Sequence, residues 1–165
     1  MQPEIAAASP PQDCLPQDRL PRGLPSTAAS FALPVRVYYE DTDAGGVVYY
    51  ANYLRFCERA RTEWLRALGV EQQALLDSAG IAFVVRSVKA DYLQPARLDD
   101  VLQVVSRIAT LRRASLVFDQ EIRRGGQLLF TAQVLIACID QRRQKPVQIP
   151  APLYANLHAH FESLA

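Results

Sequence analysis

The chain has 165 residues, half of them hydrophobic and 21% charged, which fits one globular domain with a sizeable core. A net charge of +1 offers no bulk electrostatic case for nucleic acid or an anionic membrane, and no apolar run approaches the roughly 20 residues of a bilayer span. Cys14, Cys57 and Cys138 form no CxxC or CxxH pair, which argues against structural zinc and a disulfide framework.

Residues 1–33 hold six of the eleven prolines and no sustained period. Such a stretch cannot bury enough surface to offset its ordering entropy, so a flexible or loosely docked extension is expected. It has no basic run leading into an apolar run, so no secretory signal is read, and reduced thiols in the cytoplasm are the simplest setting. A single domain is expected from Pro34 to residue 165.

"VRVYYED" (35–41) alternates apolar and polar residues and predicts a strand. "YYEDTDAGGVVYYANY" (38–53) then breaks every period. After it, Leu54, Cys57, Ala60, Trp64, Leu65 and Leu68 recur three and four apart, with Arg55, Arg59, Glu63 and Arg66 opposite. The spacing predicts an amphipathic helix ended by Gly69, with Arg59 and Glu63 placed to pair on its solvent side. Residues 71–80 predict a short second helix closing at Gly80.

From Ile81 to Asp140 the text is β-rich, with breaks at Pro95, at 112–114 and at 125–127. The last two are hairpin length, so antiparallel strands are expected. "VQIP" (147–150) could add a short strand, and the residues after Pro150 fit a C-terminal helix. A long helix after one strand, followed by a meander, is an α+β architecture. Cys57 and Cys138 fall in apolar patterns and are expected as core fillers.

Elimination narrows the chemistry. The only histidines, His158 and His160, lie at the far C-terminus, where a solvated helix end is the expected setting. No GxSxG, GxxxxGK[ST] or GxGxxG occurs, and no set of metal ligands is proposed. Carboxylates remain: Glu40, Asp41 and Asp43 stand where the first strand ends. Ala44, Gly45 and Gly46 follow, then a helix start near Tyr50. An aspartate beside free helix N-terminal amides suits acyl transfer, because the carboxylate attacks or activates water while the amides stabilise the carbonyl oxygen. An ordinary turn with an Asp-Thr-Asp cap is the competing reading from pattern alone.

The motif "YYEDTDAGGVVYYANYLRFCERARTEWLR" (38–66) closely resembles the signature of hotdog-fold acyl-CoA thioesterases of the 4-hydroxybenzoyl-CoA thioesterase class. Within that class it is most similar to the subfamily associated with the bacterial Tol–Pal system. The likeness continues through "AFVVRSVKADYLQPARLDD", "SLVFDQEI" and "QVLIACID", over roughly 33–150. The resemblance implies a long central helix wrapped by a curved antiparallel sheet, assembled as dimers or tetramers with sites between subunits. An open sheet edge makes such assembly physically reasonable.

By the same resemblance Asp43 is the catalytic nucleophile or general base, and the backbone N–H of Tyr50 polarises the thioester carbonyl. Gly46 and Val47 form the turn beside the acyl group, Glu58 is a pocket residue, and Arg112 and Arg113 meet coenzyme A phosphates. A solvated hairpin turn is the alternative for that arginine pair. Coenzyme A enters as part of the substrate, and no separate cofactor is implied. One departure stands out: many members of the Tol–Pal branch carry histidine where this chain has Tyr50. Backbone activation survives that change, whereas any imidazole role does not.

The implied activity is hydrolysis of acyl-CoA to free acid and coenzyme A. The alternative is a weakly catalytic or non-catalytic binding module for acyl carrier protein or phospholipid-synthesis enzymes. A hotdog hydratase is disfavoured because its chemistry pairs a carboxylate with a histidine that this chain lacks in its core.

Overall fold

Strands that bury one face alternate inward apolar with outward polar residues, and the second half of the chain does so strand after strand. In the computed structural model, which describes residues 30–162, strands β1 (Phe31–Arg36), β2 (Ile81–Tyr92), β3 (Val101–Arg112), β4 (Ser115–Arg124) and β5 (Gln127–Asp140) form one antiparallel sheet. Its order is β1-β3-β4-β5-β2, and a two-residue strand β6 (Lys145–Pro146) pairs with the end of β5. Leu102, Val104 and Ile108 of β3 and Leu116, Phe118 and Ile122 of β4 face the core. Register shifts at 85/87, 108/110 and 122/123 raise the local twist and curl the sheet.

The curl makes room for helix α1 (Tyr50–Ala67), which buries Tyr53, Phe56, Cys57, Ala60, Trp64 and Leu65. Burying a side chain such as Phe56 contributes about 1.5–3 kcal/mol. Trp64 is gripped by Phe31 and Phe118, with ring centroids 6.0 and 5.7 Å away. Helix α2 (Gln72–Ala79) and the C-terminal helix α3 (Ala151–Glu162) complete the α+β arrangement expected from the sequence. Gly69 and Gly80 follow α1 and α2 at positive φ, as their positions predict.

Several local expectations are corrected. The first strand begins at Phe31 and ends at Arg36, because residues 39–41 coil into a 3₁₀ turn. The turn forms because the Asp41 carboxylate accepts the Tyr38 N–H at 2.9 Å. Pro34 lies inside β1, which is tolerable because among the described residues β1 is an edge strand paired only to β3. Glu63 pairs with Arg66 instead of Arg59, whose guanidinium lies 5.8 Å from the Phe56 ring. The last short strand is 145–146, not 147–150.

Cys57 and Cys138 are buried as expected, and burial pushes their thiols up to about 12 and about 11. His158 and His160 are half-buried, not solvated. The His160 ring stands edge-on to Trp64 at 5.9 Å, and His158 leans on Tyr154 and Phe161. Cys14 and most of the proline-rich stretch lie outside the described residues.

Candidate active site

Within the break in periodicity at 38–53, residues 42–48 form a short two-stranded finger. Thr42 pairs with Val48, the Asp43 N–H donates to the Val47 carbonyl at 2.9 Å, and the Gly46 N–H donates to the Asp43 carbonyl at 3.0 Å. Gly46 turns the tip at φ +71°, where an L side chain would be strained. Asp43 sits at this tip with an exposed carboxylate. One carboxylate oxygen, Oδ1, accepts the Gly45 N–H at 2.8 Å, which orients the group and leaves the other oxygen open. Val47 is half-buried beside it.

Two neighbouring residues anchor the base of the finger. Asp41 is only 5% exposed, and its carbonyl accepts both the Tyr49 N–H and the Asn52 side-chain amide at 2.9 Å. Asp41 is therefore a structural carboxylate and Asp43 the available one. Together with Asn52 it fixes where α1 starts. Tyr49, the residue before the helix, offers no side-chain cap, and no acidic residue occupies the first turn. Among the described residues nothing accepts the Tyr50 or Ala51 N–H, so the positive end of the helix faces open space.

The Tyr50 side chain is 60% exposed and borders a cleft of about 300 Å³ with Val48, Tyr53, Tyr92 and Leu93. The Tyr92 hydroxyl donates to the Tyr50 carbonyl at 3.0 Å, and the Tyr53 hydroxyl accepts the Ala96 N–H at 2.8 Å. Burial pushes both phenols above their ordinary pKa, so neither supplies a phenolate near neutral pH. The carboxylate of Asp43 is the base that this finger offers.

Glu58 lies two turns along α1, exposed, with Oε1 accepting the Thr62 hydroxyl at 2.8 Å. It lines the groove between α1 and β2. Arg112 and Arg113 are exposed at one end of β3 and the turn after it. The Asp43 finger follows the opposite end, where Arg36 pairs with Val101. Twelve residues of strand separate the two ends, roughly 36 Å along the sheet. A single chain thus joins Asp43, Gly46 and Val47 in one finger, with Tyr50 at the helix start just after it, and leaves the arginine pair apart from them.

Sequence reasoning missed three buried polar residues. Arg61 is 8% exposed, and its Nη1 donates to Gln120 Oε1 at 2.6 Å. Gln120, 1% exposed, donates its amide to the Cys57 carbonyl at 3.0 Å and to Ser106 Oγ at 2.8 Å. Burial pushes the Arg61 pKa down, although a guanidinium remains charged. A signal was available: Arg61 falls on the apolar stripe of α1, four residues after Cys57 and three before Trp64. Ser106 and Gln120 likewise occupy inward positions of their strands.

A family model described as "Thioesterase-like superfamily" matches residues 37–157. The chain is 48% identical over 128 residues to acyl-CoA thioesterase YbgC of Haemophilus influenzae, covering 78% of this chain and 94% of that one. It is 51% identical over 126 residues to acyl-CoA thioester hydrolase YbgC of Escherichia coli, covering 76% and 93%. A crystal structure of a probable thioesterase from Bartonella henselae superposes with a TM-score of 0.71 at 38% identity, over 74% of this chain and all of the other. The chain belongs to the thioesterase-like superfamily and is a hotdog-fold thioesterase.

Proposed function

We propose that the protein hydrolyses acyl-CoA thioesters to the free acid and coenzyme A, with Asp43 as the reacting carboxylate. The observation that carries this reading is the pairing of an oriented, exposed carboxylate on the finger with the uncapped N-terminus of α1 just after it. The thioester carbonyl accepts the Tyr50 N–H, where the helix dipole stabilises charge growing on oxygen. Asp43 then attacks the acyl carbon directly, or takes a proton from the water that does. Direct attack expels coenzyme A and leaves a mixed anhydride that water then hydrolyses, whereas base-activated water gives the free acid at once. In both, the carbon–sulfur bond breaks and the departing thiolate takes up a proton. The relatives named acyl-CoA thioesterases support this substrate class.

Thiol release from a panel of aliphatic and aromatic acyl-CoAs tests the reading, and no turnover on any of them overturns it. Because Tyr50 contributes its backbone, Tyr50→His should keep kcat/KM within about threefold of wild type on the best substrate. A larger loss would assign the phenol a direct role.

The same reading includes assembly of the chain with copies of itself, in the cytoplasm and within the Tol–Pal-associated branch. Among the described residues β2 pairs only with β5, which leaves its other edge open. Given the separation along β3, Arg112 and Arg113 reach coenzyme A phosphates at an Asp43 site only from another subunit. Sedimentation velocity should therefore show a dimer or tetramer, and a monomer at assay concentration would remove both parts of this assignment. Acyl carrier protein is the partner in the alternative reading, a weakly catalytic or non-catalytic binding module.

A further inference from the structure

Burying a guanidinium without a counter-ion is costly. Arg61 is buried, and no carboxylate lies within ion-pair distance of it among the described residues; Glu58, three residues earlier on α1, acts on it only at longer range. Its one hydrogen bond is to a neutral amide, held in place because the Gln120 nitrogen is already engaged with Cys57 and Ser106. No fully buried side-chain nitrogen or oxygen lacks a partner among the described residues, so the remaining Arg61 donors face open space. That space is a groove of about 450 Å³ between α1 and β2, which shares Glu58, Arg61 and Val85 as wall residues with an inner cavity of about 90 Å³.

The upper end of the groove, at Leu54 and Val88, lies four residues along α1 and β2 from Tyr50 and Tyr92 of the candidate active site. Tyr50, Leu54, Glu58, Arg61 and Leu65 step along one face of α1 at intervals of three and four. Tyr92, Val88, Val85 and Phe83 descend the facing strand, with Tyr92 bonded to Tyr50 at the top and Phe83 beside Leu65 at the bottom. Leu54, Val85, Val88 and Val134 make the middle apolar. Arg61 lies eleven residues beyond Tyr50, about 16 Å along the helix. Arg55 and Arg59 add positive charge along the groove, against Glu58 alone.

We infer that this groove receives an acyl chain whose far end carries a carboxylate, and that Arg61 binds that carboxylate. This assignment rests on the thioesterase reading and deepens it. The substrate class is the CoA monothioester of a dicarboxylic acid, its thioester at the Tyr50 amide and its free carboxylate at the guanidinium. The apolar middle takes the methylene chain, and the planar guanidinium fork suits a carboxylate. The hydrolytic step is unchanged.

The test compares CoA thioesters of unbranched acids, methyl-terminated against ω-carboxylated at matched lengths from short to long, by thiol release from the full-length wild-type protein. At the length that reaches Arg61, the ω-carboxylated substrate should have a kcat/KM about tenfold higher, the value of one charge-assisted contact. The advantage should vanish in shorter chains. Arg61→Met should abolish it and Arg61→Lys should retain part of it. If Arg61→Met fails to fold, the wild-type length series decides alone. Methyl-terminated substrates that are equal or better at every length overturn the inference and leave the thioesterase reading intact. So does a full preference persisting in Arg61→Met. Equal rates are also the outcome if a carboxylate from a second copy occupies Arg61. No hydrolysis of any acyl-CoA overturns the thioesterase reading, and this inference with it.

Discussion

Asp43→Asn should lower kcat/KM for acyl-CoA hydrolysis by about 10³-fold, whether the carboxylate acts as nucleophile or as base. The amide is isosteric, and its oxygen can still accept the Gly45 N–H that orients the native side chain. Asp43 is exposed, so its replacement should change stability by no more than about 0.5 kcal/mol. Urea denaturation beside the kinetic assay separates lost chemistry from lost fold. The neighbouring carboxylate supplies the contrast. Asp41→Asn acts where the side chain is buried and closes the 3₁₀ turn, so its effect should appear in stability as well as rate. Full activity in Asp43→Asn would move the reacting group elsewhere.

Gln120→Leu should destabilise the fold by about 1–3 kcal/mol, the range for leaving buried hydrogen-bonding groups unsatisfied. The substitution removes the one acceptor bonded to Arg61 and withdraws the amide from the Cys57 carbonyl and the Ser106 hydroxyl. The Cys57 carbonyl and the Ser106 hydroxyl lie between α1 and the sheet, where water cannot readily replace the lost bonds. Gln120→Glu keeps an acceptor facing Arg61 and adds the opposite charge, so it should cost less than Gln120→Leu. The urea midpoints of the two variants check the order. Equal and small shifts would mean that the hub contributes little to stability.

The comparison of Asp41, Asp43 and Glu40 shows where pattern reading stops. All three stand within four residues and carry the same chemistry, and only one offers an oriented, open carboxylate. The difference is set by where the chain folds back: the Asp41 carbonyl meets Tyr49 and Asn52, while Asp43 is carried to the tip of the finger. The Gly-Gly pair and the tyrosine-rich helix start were visible in the text because turns and helix ends depend on neighbouring residues. The helix face was visible for the same reason. Arg59 and Glu63 had suitable spacing for a pair, but spacing permits an ion pair without selecting its rotamers. Glu63 instead meets Arg66, and Arg59 lies near Phe56.

Local order was thus determined by the sequence itself: one strand, two helices, a hairpin meander, a terminal helix, and a carboxylate before a glycine turn and a helix start. Each depends on periodicity or on residues a few positions apart. Tertiary structure alone decided which distant residues meet. Arg61 reaches Gln120 across 59 positions, and Gln120 reaches Ser106 across 14, because strand register and sheet curl bring three inward polar side chains to one layer. The same register sends Arg112 to the far end of β3 from Asp43. These placements rest on long-range pairing and packing, so no window along the chain contains them; they turn a turn motif into a site with a groove and a charged end.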